Sequence, residues 1–368
     1  MKQLRVEITI FLIMLSAPLF IGAGFFDDLG KSLEKGAKAV GKEFEKGFEH
    51  QQRTVKDTAR EVVKITPALG KDVEKEEKIL ARMSDQRGIF TDYPPRKPKN
   101  AIRLITYNIQ RAPGGFAGSF TKLADKGRWY YQKRMIKDLL VQFKPDVMGT
   151  QELSILEQKD LGKYIPGYSW FGEGAGPGVG AEVNTIMFNI KTVKLLKSGT
   201  FWLNPTKERY ARGWDSAYPR IATWGFFEHL KTGKKFYVYN THLDNKSGLA
   251  RQKGARLILD EMIKNPEVHA FFMGDLNSYS NAPWIKSVMQ SPLYGEARSA
   301  AKKVYAKYDG TVLSWKQDIQ FGQKGESIDW IFFNLPKKTT ILNYAIIIRD
   351  DKKIASDHLP VMADVVLK

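Results

Sequence analysis

Phe271-Phe272-Met273-Gly274-Asp275-Leu276-Asn277-Ser278 is the stretch on which the reading of this chain turns. An apolar run ends in a glycine, and a carboxylate and an amide follow two residues apart. The run Val268 to Met273 predicts a buried strand. Gly274 has no Cβ to obstruct a turn. In extended backbone, residues i and i+2 share a side. Asp275 and Asn277 are therefore expected to project together from a strand end, where open α/β sheets keep their ligands. An ionised Asp accepts hydrogen bonds or binds a hard cation, and Asn offers both a donor and an acceptor. That pair suits holding a phosphate oxygen and a nucleophile. A strand closing in an Asx-turn accounts for the same octapeptide.

Working outward, other strands are expected to end in polar groups. Ile102 to Tyr107 reads as a short alternating strand ending at Asn108. Helical spacing over Arg128 to Phe143 leads into the strand Val147-Met148-Gly149, which ends in Thr150-Gln151-Glu152. Tyr168 to Phe171, Thr185 to Asn189 and Val193 to Phe201 are further strand candidates. Thr223 to His229 and Phe236 to Thr241 predict a hairpin around Lys231-Thr232-Gly233, running into His242, with a helix over Leu249 to Ile263. Late strands are expected at Ile328 to Phe333, Leu342 to Ile347 and Val361 to Leu367, with Asp357-His358 before the last. Asp329 lies inside an apolar strand. A lone buried Asp costs several kcal/mol unless partnered, and a histidine is the expected partner.

Composition bounds the rest. The 368 residues suffice for one large domain plus an appendage, and a hydrophobic content of 43% supports a substantial core. The formal charge is +18, of which residues 101–368 carry +14. That excess implies attraction to polyanions: nucleic acid, anionic lipid or a surface polymer. The chain has no cysteine, which excludes disulfides, thiolate metal sites and a lipid-modified cysteine anchor.

Residues 1–24 read as an export signal: Lys2 and Arg5, an apolar stretch from Ile8 to Leu15, then Gly22-Ala23-Gly24. The mature chain is accordingly expected to be periplasmic or secreted. Residues 25–100 form a Lys/Glu-rich arm. Leu29, Leu33, Ala37, Val40, Phe44 and Phe48 would share one helix face there, and Tyr93-Pro94-Pro95-Arg96-Lys97-Pro98 reads as a stiff extended linker. The arm suits a membrane surface or a docking partner; a solvated spacer fits equally. Residues 101–368 are expected to form the catalytic domain.

Thr106-Tyr107-Asn108, Gln151-Glu152, Asn240-Thr241-His242-Leu243, Gly274-Asp275-Leu276-Asn277, Ser327-Ile328-Asp329-Trp330-Ile331 and Ser356-Asp357-His358-Leu359-Pro360 occur in this order. Together they resemble the endonuclease/exonuclease/phosphatase superfamily over residues 101–368. The resemblance implies a four-layer α-β-β-α sandwich of two mixed sheets and Mg²⁺- (or Mn²⁺-) dependent hydrolysis of a phosphate ester. It assigns Glu152 and Asp357, with Asn108, to the metal. Asp329 would orient a protonated His358, Asp275 would orient or deprotonate the attacking water, and Asn277, Asn108 and His242 would donate to phosphoryl oxygens. Glu182 falls where deoxyribonuclease-like members partner their first histidine. Gln110 stands where some members carry an acid, so one tightly held metal is expected rather than two.

Arg220 is a candidate phosphate clamp, because its planar fork suits that contact. The neighbouring Trp202, Trp214 and Tyr218 would either stack on bases or pack. Gly172 to Gly180 reads as a flexible loop, and His50, His229 and His269 as incidental. The substrate reading favoured by charge is nucleic acid. A sphingomyelinase-like lipid phosphodiesterase, a phosphatase, and a non-catalytic surface-binding protein on the same fold are the alternatives.

Overall fold

The computed structural model describes residues 93, 96–110, 123–178, 180–307, 310–313, 327–348 and 355–368. The signal expected at residues 1–24, and the arm expected at 25–100 apart from residues 93 and 96–100, lie outside the described residues. In chain order the elements are β1 (Ile102–Asn108), α1 (Leu123–Phe143), β2 (Val147–Ser154), α2 (Ile155–Tyr164), β3 (Tyr168–Phe171), β4 (Glu182–Asn189), β5 (Val193–Trp202), β6 (Ile221–His229) and β7 (Lys235–His242). There follow α3 (Gly248–Ile263), β8 (His269–Asp275), α4 (Pro283–Gln290), β9 (Tyr294–Glu296), α5 (Ala297–Ala300), β10 (Lys303–Tyr305), β11 (Asp329–Asn334), β12 (Thr339–Ile346) and β13 (Val361–Leu367).

These strands make two mixed sheets. One has the order β10-β12-β13-β1-β2-β4-β3 and the other β5-β6-β7-β8-β11-β9. Alternation along β8 shows how they stack. Phe271 and Met273 face the first sheet and join its core with Ile105, Met148, Val238 and Ile331. Ala270 and Phe272 face the other way, under Ile258 and Leu259 of α3 and Ile285 of α4. The architecture is the α-β-β-α sandwich. All seven residues of β1 are buried, not alternate ones, because the strand is covered on both faces.

The topology decides where the chemistry collects. Each sheet contains one long βαβ crossover: β1-α1-β2 and β7-α3-β8, whose strands pair in parallel. Parallel pairing sets the carboxyl ends of β1 and β2 side by side, and likewise those of β7 and β8. Their other neighbours, β4, β13, β6 and β11, are antiparallel to them. Antiparallel pairing brings the amino ends of those strands to the same edge. Eight strand ends thus meet on one rim, four carboxyl and four amino.

The expected linker is partly integral to this body. Tyr93 is buried, donates to the Ile346 carbonyl (2.9 Å) and accepts from the Ile348 amide (2.6 Å). Lys97 forms an ion pair with buried Asp146 at 2.5 Å.

Candidate active site

The carboxyl ends supply Asn108 (β1), Glu152 (β2), His242 (β7) and Asp275 (β8). The amino ends supply Glu182 (β4), Asp329 (β11), Asp357-His358 just before β13 and Arg220 just before β6. Sheet register fixes the pairs: His242 lies opposite Asp275, and Asp329 opposite Asp275 on the other flank.

Asp275 is the hub. Its Oδ2 accepts from Asn108 Nδ2 at 2.9 Å and is approached by His242 Nε2 at 3.5 Å and His358 Nε2 at 3.7 Å. Its Oδ1 accepts from the Asn277 amide at 2.9 Å. That is an Asx-turn, with Asn277 at φ 46°. The extended-strand expectation that both side chains project together therefore does not hold, and Asn277 Nδ2 donates instead to the Leu243 carbonyl at 3.0 Å. Gly274 is required here. Its φ is +146°, and a Cβ would stand 1.9 Å from the Thr241 carbonyl oxygen.

Each imidazole has its own carboxylate. His358 Nδ1 and Asp329 Oδ2 are 2.8 Å apart, and His242 Nδ1 and Glu182 Oε1 2.6 Å apart. Burial opposes a charged His358, but Asp329, with Asp275 and Asp357 beyond it, outweighs that and pushes the ring up to about 10. Burial also opposes a charged His242, and Glu182 and Asp275 still raise it. Asp329 is raised by its burial; the hydrogen-bonded ion pair, proton on the imidazole, is the state this geometry favours. Thr311 Oγ1 accepts from the Asp329 amide at 3.3 Å, and Val312 bridges to His358, so the 310–313 segment clasps the pair.

On the other side of Asn108, its Nδ2 also donates to Glu152 Oε1 at 2.9 Å, while its Oδ1 accepts from the Gln110 amide at 2.9 Å. The Asn108 amide thus links Glu152 to Asp275. Glu152 has φ 66° at a register shift in β2, a backbone conformation costly for any residue but glycine. The Asp357 carboxyl is pushed up by burial and by the nearby charge of Glu152. Two carboxylates that repel one another across a half-buried site fit a hard divalent cation between them. Asp275, Asp329 and His358 also lie close enough to share an ion. However, the Nδ1 of His358 is committed to Asp329, and an imidazolium has no lone pair to give.

Arg220 is not an open clamp. Its Nη1 lies 3.4 Å from Glu182 and its Nε 3.6 Å from Asp244, with the guanidinium 5.8 Å from the Tyr218 ring. Asp244 is a site neighbour the sequence reading did not single out. Burial opposes its charge, but the amides of Ser247, Lys246 and Ala217 and the Arg220 cation hold its pKa below the usual carboxylate range. The Asp-x-x-Ser spacing of Asp244 and Ser247, with Ser247 capping α3, is the signal that marks it. Ser356, whose Oγ donates to the Asn108 carbonyl at 2.7 Å, is a second such neighbour. The expected flexible glycine loop is pinned. Gly174 bridges to Val183, and the Ala175 amide donates to the Glu182 carbonyl at 2.8 Å. Trp202 packs and donates to the Ala175 carbonyl at 2.8 Å.

A two-sheet sandwich with paired carboxylates and two imidazole–carboxylate couples on one rim is the frame of a metal-dependent phosphoester hydrolase. The chain belongs to the endonuclease/exonuclease/phosphatase family, whose family model matches residues 105–358. Among solved structures it is similar to an endonuclease/exonuclease/phosphatase from Bacteroides vulgatus, at 26% identity and TM-score 0.65, covering 73% of this chain and 100% of that one. It is also similar to a mannosyl-6-phosphatase from Bacteroides thetaiotaomicron (24%, 0.63; 72% and 100%). A third likeness is to D. rerio TDP2 complexed with single strand DNA product (19%, 0.54; 72% and 98%). No curated protein matches this sequence.

Proposed function

We propose that this chain is an exported, Mg²⁺-dependent phosphodiesterase acting on nucleic acid. The observation that carries the chemistry is the convergence of His242, His358 and Asn108 on one oxygen of Asp275. Asp275 holds the attacking water, and the two imidazoles hold the phosphoryl oxygens against which that water is aimed. Both Nδ2 hydrogens of Asn108 are given to Glu152 and Asp275, so the donation to phosphoryl oxygen expected of it does not hold and it positions the two carboxylates instead. His358, kept protonated by Asp329, donates to a phosphoryl oxygen and offers a proton toward the leaving oxygen. His242, oriented by Glu182, donates from the opposite side. Arg220 keeps Glu182 in place and adds positive charge behind it. Glu152 and Asp357 would hold the divalent ion, with Asn108 steering Glu152 and the absence of an acid at Gln110 matching a single metal. When bound, that ion supplies charge neutralisation at the phosphoryl group.

Nucleic acid is favoured by the +14 charge on residues 101–368, since phosphate contacts dominate such affinity. A DNA product bound to the similar TDP2 is consistent with this class. Residues 1–24 support export, and the arm at 25–90 suits a membrane surface or docking partner.

The test is a Mg²⁺-dependent cleavage assay of the purified protein on circular DNA, linear DNA, RNA, sphingomyelin and a sugar phosphate, with Asp275→Ala as control. Cleavage of nucleic acid that is lost in the variant is the expected result. Turnover confined to the lipid or to the sugar phosphate would replace the substrate assignment, and activity surviving in Asp275→Ala would overturn the site.

A further inference from the structure

Below the rim, the buried amides of Gln151 and Asn240 meet across the largely apolar interface between the sheets, with the Thr106 hydroxyl beside Gln151 and the Thr185 carbonyl beyond Asn240. Gln151 of β2 donates from Nε2 to Asn240 Oδ1 of β7 at 2.7 Å and to Thr106 Oγ1 of β1 at 3.0 Å. Asn240 Nδ2 donates in turn to the Thr150 carbonyl of β2 and to the Thr185 carbonyl of β4, both at 3.0 Å. All four residues, Thr106, Gln151, Thr185 and Asn240, are fully buried. The approach is close enough to dictate a glycine: a Cβ on Gly149 would stand 2.5 Å from Asn240 Oδ1.

An apolar pair would fill this space at less desolvation cost. What the amides add is direction and length. A van der Waals contact between leucines tolerates sliding, whereas a fork with three hydrogen bonds across the sheets and a fourth anchoring Gln151 to β1 does not. The fork also sits beside the chemistry. Asn240 is two residues before His242, Gln151 is one before Glu152, Thr106 is two before Asn108, and Thr185 lies three after Glu182. It joins the strand carrying His242 in one sheet to the three strands carrying Asn108, Glu152 and Glu182 in the other.

We propose that Asn240 and Gln151 are positioning residues that set the distance and register between the two halves of the active site. One half holds the Glu152–Asn108 carboxylate–amide pair, and the other the His242–Asp275 pair. This inference rests on the site assignment under the proposed function. The His242–Glu182 hydrogen bond is the cross-sheet contact next to the fork, because its partners lie two residues after Asn240 and three before Thr185 on the strands the fork joins. Slippage of β7 against β4 by a few tenths of an ångström changes that 2.6 Å contact directly.

The experiment compares Asn240→Ala with Asn343→Ala in the full chain, using bis(p-nitrophenyl) phosphate. Asn343 is also buried, and its Nδ2 donates to Asp364 at 2.8 Å, far from the rim, so it controls for lost stability alone. Each variant is scored for melting temperature, for kcat and KM, and for the downfield Nδ1 proton of His242 by NMR. Both variants are expected to melt lower. In Asn240→Ala kcat falls by about 100-fold, the scale of a small misplacement of catalytic groups, while KM moves less than about threefold. The His242 proton shifts or broadens in Asn240→Ala and is unchanged in Asn343→Ala. Gln151→Met keeps length and volume while removing both amide contacts, so it serves if Asn240→Ala does not fold, with a kcat loss of about tenfold expected. Wild-type kcat and an unchanged His242 signal in whichever of these variants folds would overturn the positioning role. Failure of the site assignment itself would show separately, as full activity in Asp275→Ala.

Discussion

Gly274→Ala isolates the backbone crossing that sets Asp275 beside His242. Two costs add. At φ +146° a residue with a Cβ sits in a region essentially reserved for glycine, worth about 1–3 kcal/mol of strain. The new Cβ also meets the Thr241 carbonyl oxygen at 1.9 Å, about 1.1 Å inside the 3.0 Å limit that real contacts respect. The obstacle is backbone held in the β7–β8 ladder, so it cannot rotate away, and overpacking of this kind costs about 1–3 kcal/mol. The sum, about 2–6 kcal/mol, is a large part of a typical domain's stability. For a domain of this size it lowers the melting temperature by roughly 4–24 °C. Gly233→Ala is the matched control. Its φ is +66° with nothing within 4 Å of the added Cβ, so only the left-handed penalty of about 1–2 kcal/mol applies. Thermal melts of the two variants side by side, with turnover per folded molecule, make the assay. Gly274→Ala should melt well below Gly233→Ala and lose activity even where folded, because Thr241 and Gly274 are register partners one step from His242 and Asp275. If the two variants melt within about 3 °C of each other, the close crossing does not exist and the reasoning fails.

Asp364→Ala should cost about 3–5 kcal/mol by leaving the buried guanidinium of Arg103 without its carboxylate, since both side chains are buried and joined at 2.7 and 2.9 Å. Because Arg103 lies five residues down β1 from Asn108, urea melts should move while turnover per folded molecule stays; an Arg103→Met, Asp364→Leu double variant should recover most of the loss. His229 is lowered from its ordinary value by burial and bonds Thr232 Oγ1 through Nδ1 at 2.9 Å. The folded state therefore prefers it neutral, and its contribution is present above the unfolded pKa of about 6.5 and lost as pH falls through the folded value. The stability gap between wild type and His229→Gln should accordingly shrink from pH 7.5 to pH 5; a gap that widens on acidification would refute the buried neutral ring.

Much of this was legible in the sequence because strands that end in polar residues break their own apolar pattern. Asn108, Glu152, His242 and Asp275 each follow a run of buried residues; Asn108, His242 and Asp275 end their strands at the rim, and Glu152 lies two residues before the end of β2. The carboxylate inside the Ile328–Trp330 run could be read as a partnered buried charge, and Asp329 does hold His358 at 2.8 Å. What could not be read is adjacency across the sheets. Nothing local says that β4 lies beside β2, or that β13 lies beside β1. So Glu182 and His358 could be placed on strands but not beside their partners, except by resemblance. Thr311, in a short segment without periodicity, carries no signal at all. Helix α2 was missed for a different reason. Its start is a capping box, Ser154 with Glu157 three residues on, and the strand pattern of β2 running directly into it hid the boundary. Tyr93 reads with its prolines as linker, whereas its hydroxyl is bound at both lone pair and proton, by Ile346 at the end of β12 and Ile348 two residues beyond it.

The rim explains why the site motifs are spread across the chain, from Asn108 to His358, rather than clustered. A βαβ unit delivers two carboxyl ends to one place, but two ends hold too few groups to position water, phosphoryl oxygens and a cation at once. Flanking each parallel pair with antiparallel strands doubles the number of ends, and stacking a second such sheet face to face doubles it again. The cost is that half of the site belongs to each sheet, so its precision depends on an interface that apolar side chains alone would leave free to slide. Gly149, Gly274 and the Gln151–Asn240 fork are places where the backbone or the core departs from the generic pattern. All three lie within three residues of a group on the rim. Departures from local regularity are expected where function sets the geometry. Their position here puts close packing in the layer directly beneath Asp275 and Glu152, where an error in sheet spacing would reach the chemistry first.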